Sequence, residues 1–282
     1  MIVITSIEKM KKWRRLLQGN GKSIGLVPTM GSIHEGHLSL IKASISKCDY
    51  TVVSIFVNPT QFGPNEDYKS YPRDLESDKN ILQNAGIDVL FYPNYREIYP
   101  NNFQTFITVQ DKTKYLCGVS RPNFFQGVTT IVFKLFSIVN PNTAYFGEKD
   151  WQQLEVVRTM VKDLNLDVKI ISKPIIREVD GLAISSRNQY LSSEERENAL
   201  ILSQSLESAK TLIIQGERST EIIRTKILQM VVRKNKAKVD YISVCDPESF
   251  KEKKEITPRT LIALAVWIGK LRLIDNLIIE RT

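Results

Sequence analysis

The chain has 282 residues, of which 42% are hydrophobic and 25% charged, and its formal net charge is +8. This composition excludes a disordered chain, and the length predicts about two domains. No apolar run approaches the roughly 18 residues of a membrane span, so we expect no membrane association. The three cysteines are odd in number and lack a Cys-x-x-Cys pair. They indicate neither a disulfide framework nor a zinc site, and we expect a cytoplasmic protein.

The positive charge is compatible with nucleic acid, an anionic membrane surface or small anionic substrates. The densest basic run, Lys9 to Arg15, coincides with helical spacing of Ile7, Met10, Leu16 and Leu17. This coincidence favours a solvent-exposed helix face. A nucleic-acid-binding protein would interleave basic and aromatic residues along one element, and no such stripe occurs elsewhere. We therefore expect no nucleic-acid partner.

The first 175 residues alternate between strand and helix patterns. Strands are predicted at 24–27, 50–57, 87–92, 143–146 and 168–171, and helices at 36–46, 74–84, 128–139 and 150–164. Such spacing predicts parallel strands joined by crossover helices. We therefore expect an α/β fold with a Rossmann-like doubly wound parallel sheet.

The pattern changes after Pro174. Helices are predicted at 193–215 and 219–232, and strands at 239–244, 260–267 and 271–279. This order predicts a smaller C-terminal α+β domain at 176–282, beside the doubly wound domain at 1–175. No Gly/Ser linker separates them, so we expect the two domains to pack closely with a cleft between them.

The stretch PTMGSIHEGHLSL at 28–40 contains both histidines of the chain. It follows the first strand of the predicted doubly wound sheet, where such sheets bind nucleotides. Two imidazoles at a helix start can donate to phosphate oxygens beside the helix N–H groups, and Gly36 lets a ligand approach the backbone. If the helix includes His34, the rings of His34 and His37 are about 60° apart. A metal site and incidental surface histidines are the competing interpretations.

This stretch resembles the signature of the pantothenate synthetase family, within the His-x-Gly-His nucleotidyltransferase superfamily. Four further strings match the family in the same order: SIFVNPTQF at 54–62, YPR at 71–73, FGEKDWQQL at 146–154 and DGLAISSRN at 180–188. LRLIDN at 271–276 extends the resemblance toward the C-terminus. The resemblance thus runs through most of the chain.

The resemblance implies an enzyme that joins pantoate to β-alanine at the expense of ATP. Its products are pantothenate, AMP and pyrophosphate, and its intermediate is a pantoyl adenylate. Magnesium with ATP and a homodimer are also implied. The alternatives are another His-x-Gly-His nucleotidyltransferase, which has no reason to keep both Gln61 and Gln153, and a basic nucleic-acid-binding protein.

The resemblance also assigns roles to residues. His37 and His34 donate to the reacting phosphate, with His37 as proton donor, and Lys149 and Arg187 supply positive charge. Expected contacts with ATP are Met30, Gly31, His34, Gly36, His37, Gly147, Glu148, Lys149, Asp150, Ile176, Ile184, Ser185, Ser186 and Arg187. Expected contacts with substrate are Gln61, Gln153, Asn58 and Met30. Asp78 is the candidate ligand for Mg²⁺.

Several of these positions have other physical interpretations. Asp150 suits a helix N-cap as well as a nucleotide contact. The resemblance makes the polar stretch at 185–188 a phosphate-binding loop, and the other interpretation is a polar loop in which Ser186 or Asn188 caps the next helix. Ile184 stands where the family usually has methionine. Cys48, Cys117 and Cys245 have no role in this chemistry, so we expect buried structural thiols.

Overall fold

The computed structural model describes residues 1–18, 21–64 and 66–280. The chain divides into two compact units. The first comprises Met1–Val109, Asn123–Glu148 and Gln153–Pro174, and the second comprises Gln110–Pro122, Lys149–Gln152 and Ile175–Thr282. Two short segments before residue 175 are thus counted with the second unit. The boundary predicted for the functional domains, between 175 and 176, stays a prediction.

The first unit contains a parallel sheet, which in the described part of the chain has six strands. These are β1 (Ile2–Ile4), β2 (Ile24–Thr29), β3 (Tyr50–Ile55), β4 (Val89–Phe91), β5 (Thr143–Gly147) and β6 (Lys169–Lys173). Their order is β1-β4-β3-β2-β5-β6, and every pair is parallel. The predicted α/β class is confirmed, and β1 is an edge strand that the sequence patterns did not predict.

The helices up to residue 174 are α1 (Ile7–Gln18), α2 (Glu35–Ile45), α3 (Leu75–Asn84), α4 (Tyr95–Ile98), α5 (Cys117–Ser120), α6 (Phe124–Val139) and α7 (Trp151–Asp163). Helix α2 joins β2 to β3 and packs Leu40 and Ile41 against Val27 and Val53 of those strands. A Cβ at Gly25 would meet the Ser44 side chain, so glycine lets α2 approach β2 closely.

The strand order places a topological switch point between β2 and β5. From β2 the chain proceeds through β3 to β4 on one side, whereas β5 and β6 lie on the other side. Connections that leave two adjacent strands in opposite directions create a crevice at their carboxyl ends. The segments after Thr29 and after Gly147 both begin at this edge.

The second unit contains α8 (Ser193–Ala199), α9 (Ile201–Ile214) and α10 (Thr220–Val231), and an antiparallel sheet of β7 (Ala237–Cys245), β8 (Thr260–Ile268) and β9 (Leu271–Ile279). Leu206 of α9 and Ile227 of α10 share a core with Leu264 of β8. The predicted α+β domain is confirmed.

The prediction of one helix over 193–215 is wrong, because the chain forms α8 and α9 with Leu200 at their junction. Ser192 and Glu195 form a capping box at the start of α8. The two helices differ in character. Helix α8 is rich in charged residues, whereas α9 buries Leu202 and Leu206. In the described part of the chain, no helix combines the length and apolar character needed to cross a membrane.

Candidate active site

The turn after β2 is fixed by hydrogen bonds to its own sheet. Thr29 Oγ1 donates to the Ser54 carbonyl oxygen at 2.8 Å and accepts from the Gly31 N–H at 3.1 Å. Gly31 has φ +87°, a conformation that side chains rarely adopt, and a Cβ there would lie 3.0 Å from Asp78 Oδ2. The positive φ at position 31 and the nearby Asp78 carboxylate therefore both favour glycine there.

Asp78 of α3 holds the next two residues of this turn. Its Oδ2 accepts from the Ser32 N–H at 2.9 Å, and its Oδ1 accepts from the Ile33 N–H at 2.7 Å. The residue is only 3% exposed. Burial raises the pKa of the Asp78 carboxyl, while the two backbone hydrogen bonds oppose this rise. Asp78 thus orders the turn that leads to the histidines.

The two histidine rings are stacked, with centroids 3.9 Å apart and planes inclined by 20°. His34 is the N-cap of α2 and has extended dihedrals, φ −139° and ψ 176°. The 60° separation was expected only for a helix that includes His34, and it does not apply because His34 lies outside α2. A Cβ at Gly36 would lie 3.0 Å from Cε1 and Nδ1 of His34, so Gly36 makes room for this ring. The first hydrogen bond of α2 runs from the Leu38 N–H to the His34 carbonyl.

Asn58, after β3, is 1% exposed, and its carboxamide is held by the protein. Its Nδ2 donates to the Gly127 carbonyl at 3.0 Å and to Gln61 Oε1 at 3.1 Å. Its Oδ1 accepts from Thr60 Oγ1 and from the Tyr99 hydroxyl, each at 2.9 Å. Since a carbonyl oxygen only accepts, the nitrogen of Asn58 must face Gly127. The orientation of the Asn58 amide is therefore determined.

The orientation of the Asn58 amide determines which end of the Gln61 side-chain amide faces Met30. Gln61 Oε1 accepts from Asn58, which leaves Nε2, with its two N–H donors, as the other end of the amide. Nε2 lies 3.2 Å from the Met30 sulfur at the end of the β2 turn. Gln61 therefore presents hydrogen-bond donors on the side of Met30. From the sequence alone, Gln61 could present either a donor or an acceptor.

Gly127 and Tyr99 contribute to this arrangement and were missed as site residues. A Cβ at Gly127 would lie 2.7 Å from the Gln61 backbone nitrogen, so glycine lets α6 pack on the 59–61 turn. Tyr99 lies 41 residues from Asn58 in sequence. Gly127 lies in the string FFQGV at 124–128, outside the motifs named above, and no local pattern pointed to Tyr99.

The segment Lys149–Gln152 is anchored within the second unit. The Lys149 carbonyl accepts from Asn276 Nδ2 at 2.9 Å, and Trp151 Nε1 donates to the Pro247 carbonyl at 2.8 Å. Gln152 bonds three backbone groups, those of Lys112, Tyr115 and Cys117. Gln152 is thus structural, while the adjacent Gln153 is the predicted substrate contact and is half-buried.

The predicted phosphate-binding loop follows a short hairpin in the second unit. The Ile184 N–H donates to the Ile176 carbonyl at 3.0 Å, and Gly181 has φ +93°. Ser185 caps the 3-10 helix Ser186–Tyr190 by accepting from the Arg187 N–H at 3.4 Å. The five predicted contacts in this region are half-buried: Ile176, Ile184, Ser185, Ser186 and Arg187.

Ion pairs support this hairpin. Arg196 contacts Glu178 at 2.6 Å and Asp180 at 2.7 Å, and its side chain is 35% exposed. Asn188 Nδ2 donates to Glu178 Oε1 at 2.6 Å and to the Ala183 carbonyl at 3.1 Å. Partly exposed charged side chains therefore contribute to holding this hairpin.

The predicted site residues divide between the two units. The first contains Met30, Gly31, His34, Gly36, His37, Asn58, Gln61, Asp78, Gly147, Glu148 and Gln153, and the second contains Lys149, Asp150, Ile176, Ile184, Ser185, Ser186 and Arg187. Asp150 ends the 3-10 turn Glu148–Asp150 directly before α7. The roles assigned to these residues stay predictions.

The described residues do not form a protein cage for magnesium. Among them, no group of three or more His, Cys, Asp or Glu residues is placed to hold a metal ion. Both oxygens of Asp78 already accept backbone N–H groups. Mg²⁺ usually binds through one or two carboxylates together with substrate phosphates. Asp78 as a magnesium ligand stays a prediction.

These features define a class of protein. A doubly wound parallel sheet with a histidine turn at the carboxyl end of its switch-point strand is the arrangement of an α/β nucleotide-binding protein. The family model described as pantoate-beta-alanine ligase matches residues 2–278.

Relatives and solved structures agree with this match. A pantothenate synthetase from Acetivibrio thermocellus is 53% identical over 280 residues, covering 99% of this chain and 100% of the relative. That from Caldicellulosiruptor bescii is 51% identical over 280 residues, covering 99% of each chain. The crystal structure of pantothenate synthetase from Thermus thermophilus has a TM-score of 0.94 at 39% identity, covering 100% of both chains.

A further crystal structure is that of a complex with a nucleotide. It is the pantoate-beta-alanine ligase from Francisella tularensis with beta-gamma ATP and β-alanine. Its TM-score is 0.81 at 39% identity, and the match covers 99% of this chain and 97% of that chain. The chain described here belongs to the pantoate-beta-alanine ligase family.

Proposed function

We propose that this chain is an ATP-dependent ligase that condenses pantoate with β-alanine. The products are pantothenate, AMP and pyrophosphate, and the intermediate is an enzyme-bound pantoyl adenylate. The observation that carries the proposal is the stacked pair His34 and His37 at the start of α2, in a chain that matches this family over residues 2–278.

In the first half-reaction, a pantoate carboxylate oxygen attacks the α-phosphorus of ATP and pyrophosphate leaves. Negative charge grows on the phosphate oxygens, and fixed donors aimed at that charge lower the barrier. His37 is the proposed proton donor, and His34 is the second donor. Lys149 and Arg187 are the proposed cations for the phosphates. The N-terminus of α2 adds backbone N–H groups and the positive end of the helix dipole.

Gln61 suits the recognition of pantoate. Pantoate has a carboxylate and two hydroxyl groups, all of which contain acceptor oxygens. The Asn58 contact uses Gln61 Oε1, so Gln61 Nε2 donates to one of those oxygens. An amide donor adds no positive charge that would pair with the attacking carboxylate and weaken it as a nucleophile. Gln153 is the proposed second contact with pantoate.

The second half-reaction requires no protein nucleophile. The β-alanine amine attacks the acyl carbon of the adenylate, the C–O bond to phosphate breaks and AMP leaves. Cys117 and Cys245 are buried, and Cys48 is half-buried. Burial raises the pKa of the Cys245 thiol to about 12, so this thiol is protonated at neutral pH and unreactive. These thiols therefore serve packing in the proposed mechanism.

The proposal has three further features, a metal ion, an oligomeric state and a location in the cell. Mg²⁺ would enter with ATP and neutralise charge on the leaving pyrophosphate, with Asp78 as the candidate carboxylate. A homodimer follows from the family resemblance, and a cytoplasmic location follows from the free cysteines.

The proposed order of the two half-reactions, adenylate formation before attack by β-alanine, can be tested directly. Enzyme, ATP, Mg²⁺ and pantoate without β-alanine should release pyrophosphate in a burst of about one per active site, because an adenylate shielded from water persists. Quenched-flow measurement of pyrophosphate, with product identification after β-alanine is added, checks this. Arg187→Ala should slow the burst without changing its amplitude. Fully active enzyme that releases no pyrophosphate until β-alanine arrives would exclude a freely formed adenylate.

A further inference from the structure

Strand β9 contains two consecutive buried polar residues that the proposed mechanism does not use. Asp275 is 2% exposed and Asn276 is 6% exposed. Side chains alternate along a strand, so the two residues lie on opposite faces of β9. Asp275 shares its face with Leu273, which packs in the core of the second unit. Buried polar groups at such positions require hydrogen-bond partners.

Asn276 holds the backbone of a proposed ATP contact. Its Nδ2 donates to the Lys149 carbonyl at 2.9 Å. On the same face of β9, Arg272 Nη2 lies 3.5 Å from Cys117 Sγ and 2.7 Å from Asp240 Oδ2. This face therefore anchors both early chain segments that belong to the second unit.

Asp275 holds the hairpin before the phosphate loop. Its carboxylate forms a two-pronged pair with Arg177, at 2.7 Å from Nη1 and 3.0 Å from Nη2. Its Oδ1 also accepts from the Asn276 N–H at 2.8 Å. The Asp275 side chain is 1% exposed and that of Arg177 is 32% exposed. A bidentate pair fixes the direction of the guanidinium as well as its distance.

Arg177 transmits this constraint along the hairpin. Its Nη1 also donates to the Gly181 carbonyl at 3.2 Å, and its backbone bridges to Ala183 on the opposite arm. Two residues after Ala183, Ser185 begins the loop that contains Arg187. One side chain of β9 thus orders this loop, and the next one orders Lys149.

We propose that Asp275 and Asn276 are positioning residues for adenylate formation, because one strand sets the spacing between Lys149 and the loop of Arg187. The inference rests on the proposed function, which makes Lys149 and Arg187 cations for the ATP phosphates. Cations held in place before the reaction need no rearrangement when charge develops. A displacement of about 1 Å can cost on the order of a hundredfold in rate.

The test uses Asn276→Ala and Asp275→Asn, which each remove one of these contacts. Each variant should raise the KM for ATP and lower the rate of pyrophosphate release, each by about tenfold or more. The KM for pantoate should change by less than about twofold, because its proposed contacts lie outside this network. Thr220→Val is the matched control, since Thr220 is also a buried polar residue whose side chain donates to a backbone carbonyl, that of Lys253, at 2.7 Å. It should keep the wild-type KM values.

Arg177→Lys provides a second route if Asp275→Asn does not fold. Lysine keeps the positive charge but cannot form the two-pronged pair with Asp275. Arg177→Lys should therefore raise the KM for ATP, as Asp275→Asn should. Folded Asn276→Ala and Arg177→Lys enzymes with wild-type KM for ATP and wild-type pyrophosphate release would overturn the inference. Equal losses for ATP and pantoate, shared by Thr220→Val, would also overturn it in favour of a general structural role. Wild-type enzyme that forms no pantothenate from ATP, pantoate and β-alanine would instead refute the proposed function.

Discussion

The β2 turn of the first unit and the hairpin loop of the second unit are held in different ways. The turn is fixed by backbone N–H groups that donate to the buried carboxylate of Asp78. The hairpin is braced by Arg196, which pairs at the surface with Glu178 and Asp180. Buried contacts are screened little by solvent, whereas exposed pairs contribute little and weaken in salt. The turn is therefore rigid before substrate binds, whereas the Arg196 contacts, which act beside the pair of Arg177 with buried Asp275, are the more easily weakened support of the hairpin.

The largest expected effect comes from the rigid turn. His37→Ala should lower the rate of adenylate formation by roughly two to three orders of magnitude, the usual cost of losing a transition-state donor. Rapid-quench measurement of pyrophosphate release checks the rate, and circular dichroism with thermal unfolding checks that the fold is intact. Near-normal turnover in folded His37→Ala enzyme would remove the central role given to this turn.

A smaller effect, on stability, is expected when Asp78, whose carboxylate holds the turn, is changed. Asp78→Asn keeps the size of the side chain, but its NH₂ group cannot accept from one of the two buried N–H groups. The free energy of unfolding should fall by about 1–3 kcal/mol. Chemical denaturation measures this loss.

Asp74→Asn is the matched control on the same helix. Asp74 is the N-cap of α3, and asparagine caps a helix about as well as aspartate. The control should therefore stay close to wild type in stability. If both variants lose the same stability, the special role assigned to Asp78 in the turn is wrong.

The smallest effect is expected at the hairpin. Arg196→Ala should lower the free energy of unfolding by at most about 1 kcal/mol, because the Arg196 side chain is partly exposed. Raising the ionic strength should reduce the difference between wild type and Arg196→Ala, but should leave the Asp78→Asn difference nearly unchanged. Denaturation at low and high salt measures both. A salt-independent loss at Arg196 would contradict the contrast between the two regions.

The alternation of strand and helix patterns predicted the fold class because apolar periodicity reflects burial directly. β1 was missed because it spans only Ile2–Ile4 and lies at the sheet edge, where it pairs with β4. The break at Leu200 was missed because the apolar pattern continues through it. Short edges and helix junctions depend on packing partners that are distant in sequence.

The histidine turn was located from the sequence, but its geometry was not. The predicted helix over 36–46 already left His34 outside it, but nothing in the sequence showed that the two rings stack. The Gly127 carbonyl, 69 positions from Asn58, fixes the Asn58 amide and so decides which end of the Gln61 amide faces Met30. Such orientations arise from tertiary hydrogen bonds, so local spacing cannot supply them.

The second unit is discontinuous along the chain, since it needs residues 110–122 and 149–152 as well as the chain after 175. During synthesis, Trp151 leaves the ribosome 96 residues before its partner Pro247, and Lys149 precedes Asn276 by 127 residues. The Trp151 contact must therefore wait for Pro247, and the Lys149 contact must wait for β9. A gene fragment that begins at residue 176 would encode a sheet without the segments of chain that cover one of its faces, so residue 175 is a poor place to cut this protein.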